Sequence, residues 1–402
     1  MTTSDRVLVY GAAGHTGRFV VDELVRRGLA PVLAGRSADR LDAMPPRHSG
    51  FDRRVVHLDD AAQLLRAVSG SGVVINCAGP FLDTALPLAG AAVEAGAHYL
   101  DVTAEQPAVQ ALYRELDAAA RAAGVAVVPA MAFFGGLADL LLTAALQGES
   151  SADEVEVAIG LDRWWPTAGT RITGDRNTAT RLVIRDGALT PVAARAPTRT
   201  WPYPAPLGTQ PVVELPFSEV ITIHQHLQVG DLRSYLNTAP LDDLHDGTTP
   251  PPPATDERGR SAQRFVVDVV DRRGSDTRST TAVGRDIYAI TAPIVVEGAV
   301  RLLDGRHHGA GARAPGAAFD APDVLDAGGR RGRIRGASGP APHGPTPASV
   351  IGDAVPAVRE AFETSLAAGG AHGPLPSIPR HARVVGPVRS PKRRSYPAAG
   401  RA

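Results

Sequence analysis

The chain has 402 residues with equal numbers of basic and acidic side chains, 42 of each. This length suits more than one domain, and the balanced charge gives no reason to expect a nucleic acid partner. A single cysteine, Cys77, excludes an internal disulfide and a cysteine-based metal cluster. The sole lysine, Lys392, lies near the end of the sequence, which excludes chemistry that needs a lysine in the folded body.

The sequence also bears on where the protein resides. No apolar run reaches the roughly 20 residues that a membrane-spanning helix needs, and the short polar stretch before residue 7 is unlike a secretory signal. Together with the unpaired cysteine, these features predict a soluble, cytoplasmic protein without a transmembrane segment.

The first predicted element is an apolar strand, residues 7–10, which leads through a glycine-rich turn into an amphipathic helix. The glycines follow a G-x-x-G-x-x-G spacing. The first can turn the chain, the second lets the backbone approach a pyrophosphate, and the third allows close packing of helix on strand. A tight turn without a ligand is the alternative. The predicted phosphate-binding residues are Gly11, Ala13, Gly14, His15, Thr16 and Gly17.

A second apolar run, residues 30–35, ends at Arg36 and Ser37. Domains that prefer NAD usually carry an acidic residue at this strand end, whereas an arginine suits the 2′-phosphate of NADP. The sequence therefore predicts NADP as the cofactor, bound in part by Arg36 and Ser37. In the alternative interpretation, Arg36 and Arg40 are solvated surface charges.

Four further strands alternate with helices up to residue 129, which predicts a parallel, doubly wound Rossmann sheet. Ligands of such sheets lie beyond the carboxyl ends of the strands, so residues 76–81 and 101–105 are expected at the nicotinamide end. Cys77, Ala78, Gly79 and Pro80 are accordingly predicted to bind the cofactor. The predicted strands are 54–58, 71–81, 98–103 and 125–129, and the predicted helices are 38–44, a helix capped by Asp59 or Asp60 that runs to 68, 86–95 and 107–123.

From residue 155 the pattern changes to longer alternating strands, at 155–159, 179–184, 220–223 and 265–270, which predicts a second α/β domain on a mixed or antiparallel sheet. A helix at 294–303 is expected to pack back on the first domain. The remaining sequence is rich in Gly, Pro, Ala and Arg, and we expect it to be a disordered, low-complexity basic tail. The predicted domains are 1–130, 131–327 and 328–402.

Several blocks of sequence together resemble one known family. They are Gly-Ala-Ala-Gly-His-Thr-Gly-Arg at 11–18, Ala-Gly-Arg at 34–36, Asn-Cys-Ala-Gly-Pro-Phe at 76–81 and Ala-Gly-Ala-His-Tyr-Leu-Asp-Val-Thr-Ala-Glu at 95–105. The chain resembles the saccharopine dehydrogenase-like NADP-binding oxidoreductases, which include trans-acting enoyl reductases, over roughly residues 5–327. It departs from the family pattern at 132–139, where only the final acidic residue, Asp139, of a Gly-Phe-Asp-x-x-Pro-Ser-Asp block is kept.

The resemblance implies hydride transfer, which needs a proton donor or acceptor near the nicotinamide. Tyr99, Asp101 and Glu105 occupy the appropriate strand end and are the predicted catalytic residues. Alternatively, Tyr99 belongs to the core, and the carboxylates cap a turn or bind the cofactor ribose. Tyr288 is a second candidate acid.

Two other groups of side chains have weaker claims to a role. His224 and His226 would share a face of the strand predicted at 220–223, but no third ligand matches them, so no metal site is predicted. Trp164, Trp165 and Arg171 are candidates for contact with an acyl or carboxylate substrate, or else for packing between domains.

Two functions are compatible with these observations. The first is an NADP-dependent oxidoreductase that acts on a carbonyl, imine or enoyl group of a small molecule, with a homodimer as a further expectation. The second is a catalytically silent NADP-binding redox sensor or scaffold of the NmrA-like type.

Overall fold

The computed structural model describes residues 5–327, and the predicted tail lies outside this range. The chain begins with a parallel sheet whose first six strands follow the order β6-β5-β4-β1-β2-β3, so the topology reverses between β1 and β4. The strands are β1 (Val7–Tyr10), β2 (Pro31–Gly35), β3 (Arg53–Val55), β4 (Val73–Asn76), β5 (His98–Asp101) and β6 (Ala126–Val128). This is the doubly wound arrangement that the sequence predicts.

Helices connect these strands and cover both faces of the sheet. They are α1 (His15–Arg26), α2 (Ala38–Asp42), α3 (Ala61–Val68), α4 (Phe81–Glu94), α5 (Gln106–Ala123) and α6 (Gly136–Ala145). Local signals begin several of them, since Ser37 caps α2 and the Asp60 carboxylate caps α3 by accepting from Gln63 N–H at 2.8 Å. Gly124, with φ of +71°, ends α5 in the left-handed conformation that favours glycine.

The second sheet is mixed and has eight strands. They are β7 (Ser151–Leu161), β8 (Leu182–Arg185), β9 (Ala188–Pro191), β10 (Thr198–Pro202), β11 (Thr209–Glu214), β12 (Gln228–Asn237), β13 (Arg264–Arg273) and β14 (Asp276–Arg285). Alternation along β7 sends Val155, Val157 and Ile159 into a core that also contains Leu100 and Met131 near the first sheet. One continuous core therefore joins the two sheets.

Three helices lie between strands of the second sheet in sequence: α7 (Ala168–Arg176), α8 (Glu219–His226) and α9 (Ala239–His245). The last described elements then return to the first sheet and are α10 (Ile287–Leu303), β15 (Gly311–Ala312), α11 (Pro315–Ala318) and α12 (Ala321–Ala327). Asp286 caps α10, which packs beside α1, where Arg27 forms an ion pair with Glu297. Strand β15 then pairs in parallel with β6 at the sheet edge.

The strand predicted at 220–223 is wrong, because this segment is part of helix α8. The run Val-Ile-Thr-Ile is typical of strands, but its helical form buries Val220 and Ile223, three residues apart, in the main core. Tertiary burial therefore outweighs local preference. The strand predicted at 179–184 begins three residues later, at Leu182.

Helix α4 begins five residues before its predicted start, at Phe81 rather than at 86. Its first N–H groups are held by Glu105, which follows β5. This contact spans 24 residues of sequence, so no local pattern reveals it.

Among the residues that the structure describes, no helix is long and apolar enough to cross a membrane.

Candidate functional site

The glycine turn between β1 and α1 is too tight for side chains at two of its positions. Gly11 has φ of +81°, and a Cβ atom built on Gly17 would lie 2.1 Å from the carbonyl oxygen of Gly11. Gly14 has more room, since a Cβ atom added there would lie 3.0 Å from the same oxygen. Gly14 directly precedes α1, so the first turn of this helix keeps free N–H groups of the kind that bind phosphate.

A second loop, residues 77–80 after β4, touches this turn. A Cβ atom added to Gly11 would lie 3.0 Å from the backbone nitrogen of Ala78 and 3.0 Å from the carbonyl carbon of Cys77. The contact lies between β1 and β4, where the strand order reverses and open α/β sheets bind their ligands. The structure thus brings both predicted cofactor-binding segments to one crevice.

His15 opens α1 beside this crevice and carries a polar atom without a partner. Its Nε2 atom is buried and has no hydrogen-bond partner in the described part of the chain. The ring stands edge-on to Tyr288, with ring centroids 5.2 Å apart, and burial lowers the pKa of the imidazole. An orphaned buried nitrogen at a helix N-terminus fits a site whose remaining partner is a ligand.

The end of β2 presents exposed positive charge. Arg36 is exposed and forms no ion pair with any residue between 5 and 327, and Arg40 is exposed as well. The Ser37 hydroxyl accepts from Arg40 N–H at 3.4 Å. Guanidinium and hydroxyl donors at this strand end fit the 2′-phosphate of NADP.

Asn76, the last residue of β4, holds the second loop in place. Its side-chain oxygen accepts from Ala78 N–H at 3.0 Å, and its amide donates to the hydroxyls of Thr84 and Tyr99, both at 3.1 Å. Thr84 in turn donates to the Ala78 carbonyl at 2.6 Å. The loop at the crevice is therefore fixed by side chains on three neighbouring elements.

Tyr99 and Asp101 lie together, as their spacing on one strand predicts, and both have 0% exposure. The Tyr99 hydroxyl donates to Asp101 Oδ2 at 3.1 Å, while Asp101 Oδ1 accepts from the N–H groups of Ala130 (2.7 Å) and Thr103 (3.1 Å). Burial raises the pKa of Asp101 to about 6 and that of Tyr99 well above its ordinary value. Every oxygen of this pair has a partner inside the protein.

Glu105 has 1% exposure and serves the neighbouring helix. Its carboxylate accepts from Phe81 N–H at 2.8 Å and from Leu82 N–H at 3.1 Å, and burial raises its pKa. The predicted catalytic roles of Tyr99, Asp101 and Glu105 stay predictions. What the structure shows is that all three are bonded to protein groups that shape the crevice.

Tyr288 comes from α10, at the end of the second sheet. Its hydroxyl accepts from Trp164 Nε1–H (3.1 Å) and Thr167 N–H (3.4 Å) and lies 2.9 Å from Thr170 Oγ1. Either oxygen of the Tyr288–Thr170 pair can donate the hydrogen. The candidate acid Tyr288 is thus bonded to three groups of the protein.

Helix α7 closes one side of the crevice. A Cβ atom on Gly79 would lie 2.7 Å from Thr173 Oγ1, and Arg176 forms a 2.9 Å ion pair with Asp83. Arg171 of the same helix donates at 3.0 Å to three carbonyls in the segment 244–249, so its donors hold a loop instead of facing a substrate. Trp165 is half-buried beneath the Arg163 guanidinium.

His224 and His226 do not share a face, because side chains two residues apart in a helix point about 200° apart. His226 Nε2 lies 2.7 Å from Asp139 Oδ1, and the other oxygen of Asp139 accepts from Gly316 N–H at 3.1 Å. The retained acidic residue of the 132–139 block therefore joins α6, α8 and α11. Within the described residues no cluster of three or more His, Cys, Asp or Glu side chains suits a metal ion.

Gln106 at the start of α5 is a residue that sequence reasoning missed. Its side chain accepts from Leu182 N–H at 2.7 Å and donates at 2.9 Å to the carbonyls of Leu182 and Phe217. It fastens β8 and the segment before α8 to the start of α5, just beyond the carboxyl end of β5. A glutamine at a helix start gives no sequence signal for contacts this distant.

The part of the chain that forms this crevice is similar to a known cofactor-binding domain. Residues 7–128 match the family model described as the saccharopine dehydrogenase NADP binding domain. Over this domain the chain is also similar to curated proteins named saccharopine dehydrogenase-like oxidoreductase. The matched domain has NADP as its cofactor, in agreement with the prediction from Arg36.

Two curated relatives illustrate the family. A saccharopine dehydrogenase-like oxidoreductase from Bos taurus is 28% identical over 161 residues, covering 35% of this chain and 38% of the relative. A trans-acting enoyl reductase from Mycobacterium ulcerans is 31% identical over 105 residues, covering 25% of each chain. The alignments thus span little more than a third of the relatives' length at most.

The fold as a whole resembles a solved structure. The apo saccharopine dehydrogenase (L-Glu forming) from Saccharomyces cerevisiae superposes with a TM-score of 0.55 at 13% identity, covering 79% of this chain and 95% of that chain. At this identity the likeness concerns the fold alone. It supports the predicted pairing of a Rossmann sheet with a second, mixed-sheet domain.

Proposed function

We propose that this protein is an NADP-dependent oxidoreductase of the saccharopine dehydrogenase-like family that acts on a carbonyl, imine or enoyl group of a small molecule. One observation carries the proposal: the glycine turn and the loop 77–80 meet at the topological switch point, beside side chains of the second domain. NADP bound there would supply the hydride donor or acceptor.

The phosphates would be held at the glycine turn. Gly14 leaves the backbone open to a pyrophosphate, and the N–H groups of the first turn of α1 are the expected donors. Arg36 and Ser37 would hold the 2′-phosphate at the end of β2. His15 Nε2, buried without a protein partner, is then expected to face the bound cofactor.

The nicotinamide end would lie over the carboxyl ends of β4 and β5. There the residues 77–80 present backbone groups, and Asn76, Asp101 and Glu105 fix the position of that loop and of α4. We therefore assign Asp101 and Glu105 a positioning role in this proposal. Trp164 and Phe134 supply apolar surface from the other side, with ring centroids 5.7 Å apart, which limits access of water.

A two-part experiment tests the proposal. NADPH binding is measured by fluorescence titration, and NADPH oxidation is then followed with a panel of ketones, imines and enoyl thioesters. We expect tight NADPH binding and turnover with at least one substrate class. NADPH binding with no turnover on any class would contradict the enzyme and favour the silent redox sensor or scaffold of the NmrA-like type.

Matched glycine variants locate the cofactor. Gly14→Val places a branched side chain where the pyrophosphate approaches, 3.0 Å from the Gly11 oxygen even at Cβ, and should abolish NADPH binding. Gly90→Ala adds a methyl group on α4 where nothing lies within 4 Å, so it should bind NADPH normally. Normal binding by Gly14→Val would show that the cofactor lies elsewhere.

The homodimer and the cytoplasmic location are further parts of this proposal. The unpaired Cys77 supports a reducing compartment. Light scattering at several protein concentrations tests the dimer, and fractionation of cells that express the chain tests the location.

A further inference from the structure

Arg181 lies just before β8, and one edge of its guanidinium, formed by Nε–H and Nη2–H, donates to no described residue. Its Nη1 donates to the Pro216 carbonyl at 2.7 Å, and its central carbon lies 5.1 Å from the ring centroid of Phe217. No described residue accepts from Nε or Nη2. Arg181 is half-buried, so these two N–H groups lack both a protein partner and full hydration.

The unused edge is the one that suits a carboxylate. Nε–H and Nη2–H point the same way and can bind two oxygens of one planar acid. Arg47 of this chain uses that same edge, with Nε and Nη2 at 3.0 and 2.8 Å from the two oxygens of Asp22. Glu219, whose charge acts on Arg181, forms no ion pair with it. Its Oε1 accepts from the Ser234 hydroxyl (2.6 Å) and Phe217 N–H (2.9 Å), and its buried Oε2 has no hydrogen-bond partner among the described residues.

A row of aromatic rings connects Arg181 with the cofactor crevice. The Phe217 ring lies 4.3 Å from Phe134, which lies 5.7 Å from Trp164. Trp164 bonds to the Tyr288 hydroxyl, and the Tyr288 ring contacts His15 at the start of α1. We call Phe217, Phe134, Trp164, Tyr288 and His15 the aromatic row.

The position of Arg181 relative to the first sheet is fixed. The Gln106 side chain forms hydrogen bonds with the backbone N–H and carbonyl of Leu182, the residue after Arg181, and with the Phe217 carbonyl. Ser218 donates to the Thr103 carbonyl at 3.0 Å, just beyond β5. Arg181 and Phe217 are therefore tied to the same strand end over which the nicotinamide is expected.

We propose that Arg181 is a substrate-binding residue that takes the carboxylate of an acidic substrate, whose apolar part lies along the aromatic row toward the nicotinamide. This assignment rests on the proposed function, and it narrows the substrate class to carboxylic acids that also carry the reducible group. Charge and two hydrogen bonds on one edge select the ionised acid over its neutral derivatives.

The test measures binding, not turnover, so that it is separate from the test of the enzyme. Calorimetric titration of the NADP-loaded protein uses benzoate, 3-phenylpropanoate and octanoate, each paired with its primary amide as a neutral control of the same shape. At least one acid should bind about 10- to 100-fold more tightly than its amide. Equal binding of every acid and amide, or no binding of any acid, would overturn the proposal even if NADPH oxidation is observed.

Variants identify the residue responsible. Arg181→Gln should remove the preference for the acid, and Arg181→Lys, which keeps the charge but not the paired donors, should retain only part of it. Arg199→Gln is the matched control, because the Arg199 guanidinium also lies over an aromatic ring, Trp201 at 4.6 Å, but it is on β10 and is paired with Glu156. Unchanged melting temperature and NADPH affinity in Arg181→Lys exclude a folding defect. An acid preference that survives in both Arg181 variants would refute the assignment.

Discussion

The carboxylate of Glu105 accepts a 2.8 Å hydrogen bond from the backbone N–H of Phe81, so the segment after β5 holds the helix that follows β4. The same carboxylate accepts a hydrogen bond from the N–H of Leu82 at 3.1 Å. Two of the unpaired donors at the start of α4 are thereby satisfied inside the protein. The loop 77–80, which precedes this helix at the crevice, depends on that anchor.

Removal of the anchor should weaken both folding and cofactor binding. Glu105→Ala leaves one buried and one partly buried N–H group without this acceptor and is expected to lower the free energy of unfolding by about 1 to 3 kcal/mol. The dissociation constant for NADPH should rise at the same time. Denaturant titration and fluorescence titration measure the two effects. Glu115→Ala, at an exposed carboxylate on the same α5 helix, is the control and should change neither.

Arg36 should set the preference for NADPH over NADH. Arg36→Asp removes the expected contact to the 2′-phosphate and should reduce the preference by roughly 1.5 to 3 kcal/mol, the range of a charged hydrogen bond. Dissociation constants for both cofactors provide the measurement. Arg66→Asp changes an exposed arginine on α3 by the same charge and should leave the preference intact. Equal affinity of the unmutated protein for the two cofactors would contradict the role of Arg36.

His98 should make the fold sensitive to acid. Its Nδ1 accepts from Ala126 N–H at 2.9 Å, and burial, with a smaller contribution from His307, lowers its pKa to about 4. Between an unfolded pKa of about 6.5 and the folded value, the unfolded chain binds the proton and the folded chain does not. Stability should therefore be unaffected by His98 above pH 6.5 and fall as the pH drops, by about 3 kcal/mol near pH 4.

His98→Asn tests this directly, since an asparagine oxygen can accept the Ala126 N–H without taking up a proton. The variant should lose less stability than the unmutated protein between pH 6.5 and 4 in denaturant titrations. His57→Asn removes an exposed imidazole and serves as the control. Parallel pH profiles for the unmutated protein and His98→Asn would rule out this source of acid sensitivity.

The sequence predicts the first sheet well because its information is local. Apolar runs, caps such as Asp60 and the spacing from Gly11 to Gly17 depend on neighbouring residues. The strand pattern predicts that residues 76–81 and 101–105 meet at the carboxyl end of the sheet, and the pairing of β4 with β5 places Asn76 opposite Asp101. For α8, local preference favours a strand, and only the packing of Val220 and Ile223 explains the helix.

The chemical environment of the site was harder to predict, since it arises from contacts distant in sequence. Asp101 accepts a hydrogen bond from the N–H of Ala130, 29 residues away in sequence, and Gln106 accepts one from the N–H of Leu182, 76 residues away. A carboxylate at a strand end has the same sequence signal whether it faces a ligand or backbone donors. Arg181 has no signal at all, because its significance comes from the rings and carbonyls that surround it.

Asp101→Asn distinguishes a positioning role from direct proton transfer. The remaining oxygen can still accept from Ala130 and Thr103 N–H, both of which bond to Oδ1, so the variant should fold. Because the side chain has 0% exposure and is fully bonded, we expect kcat and NADPH affinity to change by only a few-fold. A general acid or base would instead lose roughly 100-fold or more in kcat with unchanged NADPH binding. That result, measured on whichever substrate the panel identifies, would restore Asp101 to the catalytic role that the sequence predicts, with its raised pKa of about 6 as the physical reason.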